Sequence, residues 1–297
     1  MTGQVAAGVD GSAESTAAAQ WAAGEALARG VPLLLVYVEE WPYTPEIPLP
    51  YADATAAEGE RLLREEAERA RERHPGLEVL TRHVRGGAAE KLTAAAQEAE
   101  VMALGSRGLG RARGHLLGAV SLAVVGAARR PVVLVRAPEE RPRPRAGGLL
   151  VGVDLQHPSE DLLAFAFAQA ARSGLPLRVL HAWTLPVSYG QAAVVDPGVG
   201  MEPAHRLRRD LSERLKPWQE RYPSVECAAQ VVLGSAAFQM AEASSEAELV
   251  LVGRRPRRVP FGPRTGHVVQ ALIHHSPAPV AVVPLDEETG TDTGPSP

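Results

Sequence analysis

The sequence predicts an α/β fold of two doubly wound, Rossmann-like domains, each built on a five-stranded parallel sheet. Short apolar runs alternate with helix-type segments along the chain, which is the pattern of parallel strands covered by helices on both faces. Three sequence landmarks occur twice in the same order. The chain has 297 residues, a length that accommodates two cores of about 145 residues each.

The landmarks indicate an internal duplication. The paired strings are QVAAGVD at 4–10 with GLLVGVD at 148–154, AEVMALG at 99–105 with AELVLVG at 247–253, and PVVLV at 131–135 with PVAVV at 279–283. The first pair is offset by 144 residues and the other two by 148. Because the offset changes by only four residues, one short insertion or deletion separates the two halves.

Each element of the first half follows from local signals, and the second half repeats the order. Strands are predicted at 5–9, 32–38, 78–84, 101–104 and from Pro131 onward, because these runs are apolar or alternating and are bounded by turn residues. Helices are predicted at 13–29 with Ser12 as N-cap, from Asp53 to near His74, at 88–98 after Gly86-Gly87, and from about His115 to Arg129. The segment 39–52 is predicted to be a loop.

These boundaries give four segments. The first domain is expected at 1–137, a proline- and charge-rich linker at 138–147, the second domain at 148–285 and a disordered polar tail at 286–297.

Composition excludes several functions. The net charge is −4, which disfavours nucleic acid or a membrane surface as partner. No apolar run reaches the ~18 residues that span a bilayer. Cys227, the single cysteine, is expected to be a buried, inert thiol in a strand, and it fits a reducing compartment. The histidines show no metal-ligand spacing. We therefore expect a soluble cytoplasmic protein without a metal centre of its own.

Two glycine-containing segments follow predicted strands, at 8–12 and at 105–111. Open parallel sheets bind ligands beyond the carboxyl ends of their strands. Gly105, Gly108 and Gly118 form the spacing G-x2-G-x9-G, which is neither a Walker A motif nor a Rossmann fingerprint. Exposed amides after the strand, and the start of the next helix, predict an anion cradle to which Ser121 adds a hydroxyl. A plain tight turn stays open as the alternative.

The strings GVDGS at 8–12 and GSRGLG…GHLLGAVS at 105–121 resemble the universal stress protein family, and the double arrangement resembles its tandem actinobacterial members. The resemblance implies strand order 3-2-1-4-5 in each domain, as in adenine nucleotide alpha hydrolase-like folds. It also implies a site for ATP, or for AMP or ADP, with Mg²⁺ as a companion of the phosphates. The implied site residues are Gly8, Val9, Asp10, Val36, Val38, Gly105, Arg107, Gly108, Gly110, Arg111, Gly118, Ala119, Val120 and Ser121. Ala119 departs from the family pattern, which has Ser or Thr there.

The second half departs further from that pattern. Its corresponding residues are Asp154, Gly253, Arg254, Gly266, His267 and Val268. Pro256 stands where the first half has Gly108, and proline removes one amide from the cradle. The arginines of this loop predict either an altered anion site built on guanidinium groups or a solvated basic loop beside a site that has lost its ligand. The second interpretation is favoured.

Three functions are therefore considered. The first is a regulatory adenine-nucleotide-binding protein of the stress response. The alternatives are an interaction or assembly protein without a nucleotide and a slow ATPase. No catalytic residue is assigned, because Asp10 is the only base near the predicted site. The last strand of each half is an edge candidate, so the two halves are expected to pair as an internal pseudo-dimer, and a homodimer is a further option.

Overall fold

The computed structural model describes residues 3–40, 49–106, 118–137, 147–157, 159–184, 201–255 and 265–285. The tail 286–297 and nearly all of the predicted linker lie outside the described residues. So do Arg107, Gly108, Gly110 and Arg111 of the predicted site, and Pro256 of the second loop.

Strands and helices alternate through both halves, as the sequence predicts. The first half comprises β1 (Val5–Val9), α1 (Ala13–Arg29), β2 (Leu33–Glu39), α2 (Leu49–Arg73), β3 (Val79–Arg85), α3 (Ala88–Glu98), β4 (Val101–Gly105), α4 (Ala119–Ala127) and β5 (Val132–Val135). The second half comprises β6 (Leu149–Gly152), α5 (Glu160–Ser173), β7 (Leu177–Trp183), α6 (Met201–Arg221), β8 (Cys227–Leu233), α7 (Ala236–Ala243), a 3₁₀ turn (Ser244–Glu246), β9 (Leu249–Arg254), α8 (His267–His275) and β10 (Val280–Pro284).

The strand order confirms the doubly wound fold in each half. The first half reads β3-β2-β1-β4-β5, the second reads β8-β7-β6-β9-β10, and neighbouring strands within a half are parallel. The two sheets are not separate, however. They join into one ten-stranded sheet because β5 and β10 pair antiparallel. The central pair, Val133 and Ala281, joins equivalent residues at the offset of 148. A local twofold relation therefore connects the two halves.

The hydrophobic core forms two layers, one on each face of this sheet. One layer packs against α1, α2, α5 and α6, and the other packs against α3, α4, α7 and α8. Both layers run through both halves. Central strands such as β1 are buried along their whole length, which explains their continuous apolar sequence. Phe167, the bulkiest fully buried side chain among the described residues, stacks on Trp218 at 6.0 Å between ring centroids.

The halves also meet through a buried polar contact between α1 and α5. The carboxylate of Glu25 accepts hydrogen bonds from Gln169 Nε2 and from Arg29 Nε, each at 2.6 Å, and Arg172 lies 3.6 Å from it. Glu25 and Gln169 are equivalent residues at the offset of 144. Burial, and then the positive charge of Arg29, lower the pKa of Arg172. We call this contact between α1 and α5 the seam. In the seam, the charge of Glu25 is balanced by an arginine from each half.

Two helices begin at residues that differ from the prediction. Helix α2 begins at Leu49, so Asp53 lies within the helix and does not cap it. Pro50 fits there because the first turn of a helix tolerates the missing amide hydrogen and the fixed φ of proline. Helix α4 begins at Ala119, directly after Gly118, and ends at Ala127 because Ala128 has an extended conformation. The predicted start near His115 lies outside the described residues.

None of the described helices combines the length and the apolar character that a membrane crossing requires. Cys227 lies in β8, as predicted, and is half-buried. Burial raises the pKa of its thiol to about 11, which fits an unreactive thiol at neutral pH.

Candidate functional site

The first candidate cleft lies at the carboxyl ends of β1 and β4. In the order β3-β2-β1-β4-β5, β1 lies between β2 and β4. The chain first runs from β1 to β2 and β3 on one side of β1, and then crosses to β4 and β5 on the other side. The strand order reverses at this point, and such a crevice is the usual ligand site of an open α/β sheet. Asp10 follows β1, Gly105 ends β4, and α4 begins at Ala119. We call this region the first cleft.

The carboxylate of Asp10 is oriented by the turn that follows β1. Its Oδ1 accepts hydrogen bonds from the Ser12 amide at 2.9 Å and from the Ser12 hydroxyl at 2.5 Å. Ser12 in turn caps α1, because its Oγ accepts from the Ser15 amide at 3.1 Å. The sequence GVDGS at 8–12 therefore forms one unit in which the helix cap also orients the acidic side chain.

Gly105 has a packing role in addition to its place at the cleft. A Cβ atom at this position would lie 2.9 Å from backbone atoms of Glu14 and Ser15 in the first turn of α1. Backbone atoms cannot move aside as the end of a flexible side chain can. The absence of a side chain therefore lets β4 end directly against α1. A tight turn after β4 would not by itself require this close approach.

The first turn of α4 faces the same cleft. Gly118 has φ 33° and ψ 43°, a left-handed conformation that L-residues other than glycine rarely adopt, and no side chain of the described residues caps the helix. Ser121 Oγ donates to the Gly105 carbonyl oxygen at 2.9 Å. This bond fixes the start of α4 to the end of β4. Ala119 and Val120 belong to the same first turn, and Val120 also packs against the core.

The remaining predicted residues of the first half differ in their access to the cleft. Gly8 pairs with Val36, and the ladder between β1 and β2 ends at the next pair, Val9 with Tyr37. Val36 is therefore inside the ladder, with a buried side chain. Val38 lies beyond the last pair of that ladder, although it still pairs with β3. Of the two valines, Val38 is better placed to offer backbone groups to a ligand.

The second half has a cavity of about 1560 Å³ at the equivalent place, which we call the second cleft. The six residues predicted for a second site all line it: Asp154, Gly253, Arg254, Gly266, His267 and Val268. The floor is apolar and includes Met240 and Leu180, whereas the rim carries Arg206, Arg255 and Glu202. Apolar walls with a few convergent polar groups are typical of small-molecule sites.

The acidic residue of the second cleft is paired with an arginine and contacts a histidine. Asp154 Oδ2 lies 2.8 Å from Arg255 Nη2 and 2.9 Å from His157 Nδ1, and Oδ1 accepts from the Gln156 amide at 3.0 Å. Burial tends to raise the pKa of Asp154, but these hydrogen bonds outweigh burial and the pKa is lowered. The Asp154–Arg255 ion pair also bridges the ends of β6 and β9, so it spans the second cleft.

Two further side chains shape the second cleft, and sequence reasoning missed both. Arg214 of α6 donates to the carbonyl oxygens of His157 at 2.8 Å and Leu155 at 3.2 Å, which holds the turn after β6. His181 is buried, lines the cavity, and has its Nδ1 3.1 Å from the Val153 carbonyl oxygen. Neither residue belongs to a local motif, since each finds its partner only through tertiary packing. Among the described residues, no group of His, Cys, Asp or Glu side chains could hold a metal ion.

These features define a class of protein: a tandem α/β protein whose halves are doubly wound, with a candidate ligand region at the strand ends of each half. Comparison with known proteins then gives the family. The model of the universal stress protein family matches twice, at residues 1–136 and 148–284. The chain belongs to the universal stress protein family.

Individual relatives share the whole tandem arrangement. Universal stress proteins of Mycobacterium bovis and Mycobacterium tuberculosis are each 34% identical over 288 residues, which is 94% of this chain and 96% of the relative. A Mycolicibacterium smegmatis universal stress protein is 33% identical over 290 residues, covering 93% of this chain and 95% of the relative. The solved structure of a universal stress protein from Archaeoglobus fulgidus superposes with a TM-score of 0.67 at 19% identity, covering 95% of this chain and 98% of that chain.

Proposed function

We propose that this protein is an adenine-nucleotide-binding regulatory protein of the stress response, and that the nucleotide binds in the first cleft. The observation that supports the proposal is that the Asp10 carboxylate, Gly105 at the end of β4 and the first turn of α4, which no described side chain caps, all lie at one edge of the sheet. We expect the carboxylate to accept from hydroxyl groups of the ligand and the amides of α4 to donate to its anionic part.

The phosphates are expected to lie against the first turn of α4. The first amides of a helix have no partner within the helix, and the positive end of the helix dipole favours an anion there. Ala119 offers its amide but no hydroxyl. The Ser121 hydroxyl donates to Gly105, so its proton is already engaged. We therefore expect backbone amides to hold the phosphates, together with the predicted Arg107 and Arg111.

The nucleoside is expected on the other side of the crevice. The Asp10 carboxylate, held in place by Ser12, is suited to accept hydrogen bonds from ribose hydroxyls. The backbone of Val38, beyond the end of the β1–β2 ladder, is suited to contact the edge of the base. The choice of adenine rests on the family resemblance of GVDGS and of the glycine loop. ATP, with Mg²⁺ on its phosphates, is the nucleotide we propose to test first.

The cavity of the second half favours a second candidate function, an anion site of different construction. Arg255 and Arg206 line it, so side-chain cations are available where the first half offers backbone amides. An anionic ligand there would take Arg255 away from Asp154. This differs from the sequence interpretation that favoured a cleft without a ligand, and the supporting observation is the size and lining of the cavity.

A matched pair of variants tests the first cleft. Gly118→Ala forces an L-residue into a left-handed conformation, which costs about 1–2 kcal/mol and displaces the first turn of α4. Gly266, its equivalent, has φ −66°, and a Cβ there would meet none of the described atoms within 4 Å. We expect Gly118→Ala to weaken ATP binding about tenfold and Gly266→Ala to leave binding unchanged, as measured by equilibrium dialysis.

Equal affinity of the wild type and Gly118→Ala would remove α4 from the binding site. Weakening by both variants would place nucleotide in both clefts, and weakening by Gly266→Ala alone would place it in the second cleft. The same samples, assayed for phosphate release over several hours, distinguish simple binding from slow hydrolysis, since a binding protein releases no more phosphate than ATP alone.

A further inference from the structure

Helix α4, whose first turn faces the first cleft, is held at its other end by a residue of the second half. Arg254 Nη2 donates to the carbonyl oxygen of Ala128 at 2.5 Å. Ala128 is the C-cap residue that directly follows α4. The last carbonyl groups of a helix have no partner within the helix, and a cation there also interacts favourably with the helix dipole. Arg254 therefore supplies a C-terminal cap from the other domain.

Arg254 is at the same time part of the second cleft. It ends β9 and lines the cavity, and its neighbour Arg255 pairs with Asp154 across that cleft. The end of β9 thus touches both halves: Arg254 holds the C-terminal end of α4, the helix whose first turn faces the first cleft, and Arg255 pairs with Asp154 in the second cleft. A ligand that changes the position of this strand end in the second cleft would also change the support of α4.

A second arginine makes a contact in the other direction, from the first half to a helix of the second half. Arg136 follows β5 of the first half and donates from Nη2 to the carbonyl oxygens of Ile273 and His274, each at 2.8 Å. These carbonyl groups belong to the last turn of α8, the helix that begins at the second cleft. At the offset of 148, the equivalent of Arg254 is Ser106 and the equivalent of Arg136 is Pro284. The two contacts are therefore not copies of one contact.

We propose that Arg254 is a positioning residue for the nucleotide site of the first cleft, so that the second half sets the affinity of the first. This inference rests on the proposed function. Helix α4 has nine residues and is about 13 Å long, and its buried side chains are Val124 and Val125. Ser121 holds one end to β4 and Arg254 holds the other. Without Arg254 the helix can pivot about the Ser121–Gly105 contact, which tilts the amides of the first turn, and misdirected amides bind an anion more weakly.

The test uses the full chain with Arg254→Ala and Arg254→Lys. We expect Arg254→Ala to weaken ATP binding about five- to tenfold and Arg254→Lys to restore most of the loss, because lysine keeps a cation near the helix end. Hydrogen exchange of the ligand-free protein, followed by mass spectrometry, should show faster exchange of peptides covering 119–127 in Arg254→Ala than in the wild type.

Arg178→Ala is the matched control. Arg178 Nη2 donates to the carbonyl oxygen of Ala243 at the end of α7, at 2.9 Å, so it makes the same kind of contact within the second half. We expect it to leave ATP affinity within about twofold. Equal losses of affinity in Arg178→Ala and Arg254→Ala would overturn the proposal, and so would unchanged affinity in Arg254→Ala when the wild type binds ATP.

The exchange measurement also separates this inference from the proposed function. If the wild type binds no adenine nucleotide, the proposed function fails. Faster exchange at 119–127 in Arg254→Ala alone would still support the positioning of α4 across the domain boundary. Unchanged exchange would overturn it whatever the nucleotide result.

Discussion

The two clefts keep the same backbone turn and differ in the residues that follow the aspartate, Gly11-Ser12 in the first and Leu155-Gln156 in the second. Asp10 and Asp154 each accept a hydrogen bond from the amide two residues later, at 2.9 Å from Ser12 and 3.0 Å from Gln156. In the first cleft a serine hydroxyl adds a second hydrogen bond to this carboxylate, whereas in the second cleft Arg255 and His157 pair with it. The duplication has therefore preserved the geometry of the turn, while Ser12 of the first half and Arg255 and His157 of the second show that side chains of different types contact the two carboxylates.

The glycines that end β4 and β9 show the same divergence in packing. A Cβ at Gly105 would meet the backbone of α1 at 2.9 Å, whereas a Cβ at Gly253 would meet the side chain of Leu285 at 2.7 Å. The first contact is fixed and the second can adjust. The first half therefore depends on glycine at the cleft more strictly than the second half does.

The largest expected effect concerns the seam between the halves. Glu25→Ala removes the buried carboxylate beside Arg29 and Arg172. Among the described residues, Arg29 then keeps only its ion pair with Glu100, and Arg172 keeps only neutral hydrogen-bond partners. This loss should lower the free energy of unfolding by about 3 kcal/mol. Gln169→Ala, at the equivalent position, removes one neutral partner and should cost about 1 kcal/mol. Urea denaturation measures both. Similar losses for the two variants would show that the buried charge of Glu25 contributes no more stability than the neutral amide of Gln169.

The next effect sharpens the comparison of the two strand ends. Gly105→Ala should lower the free energy of unfolding by about 1–3 kcal/mol, because the backbone of α1 must move. Gly253→Ala should cost about 0.5–1.5 kcal/mol, because the Leu285 side chain must leave its preferred rotamer. Thermal and urea unfolding of both variants check the order. A larger loss in Gly253→Ala would show that the close approach of Gly105 to α1 constrains the fold less than the contact of Gly253 with Leu285.

The smallest effect concerns the Asp154 carboxylate. Its pKa is lowered in the folded state, so its ionised form contributes stability above the ordinary pKa of aspartate, and this contribution is lost as the pH falls through the lowered value. Arg255→Ala should raise the pKa of Asp154 and shrink this acid-dependent contribution. Carboxyl-carbon NMR titration measures the shift, with the Asp10 signal as the control that should not change. An unchanged Asp154 pKa would mean that Arg255 is not its effective partner.

Much of the fold could be predicted because its signals are local and occur twice. Ser12 caps α1 as expected, and the apolar run at 5–9 forms a fully buried strand. The strand order came from the family resemblance of GVDGS and the glycine loop and is confirmed in both halves. The pairing of β5 with β10 was expected for two short apolar edge strands, although it joins the sheets into one.

The contacts that cross between the halves could not be predicted in the same way. Glu25 lies in an alanine-rich helix and Arg254 in a run of arginines, and neither local sequence indicates which residue the charged side chain contacts. Only the joining of the sheets places Gln169 beside Glu25 and Ala128 beside Arg254. The partner of a long charged side chain depends on tertiary packing, so these contacts cannot be predicted from a local sequence period or motif.

The central claim is that the first cleft, with its backbone amides, binds an adenine nucleotide. Isothermal titration calorimetry of the intact chain with ATP tests it most directly, because the stoichiometry counts the sites. We predict one adenine-nucleotide site per chain that is weakened in Gly118→Ala and retained in Gly266→Ala. No binding of ATP, ADP or AMP at millimolar concentration, or a single site lost only in Gly266→Ala, would contradict it.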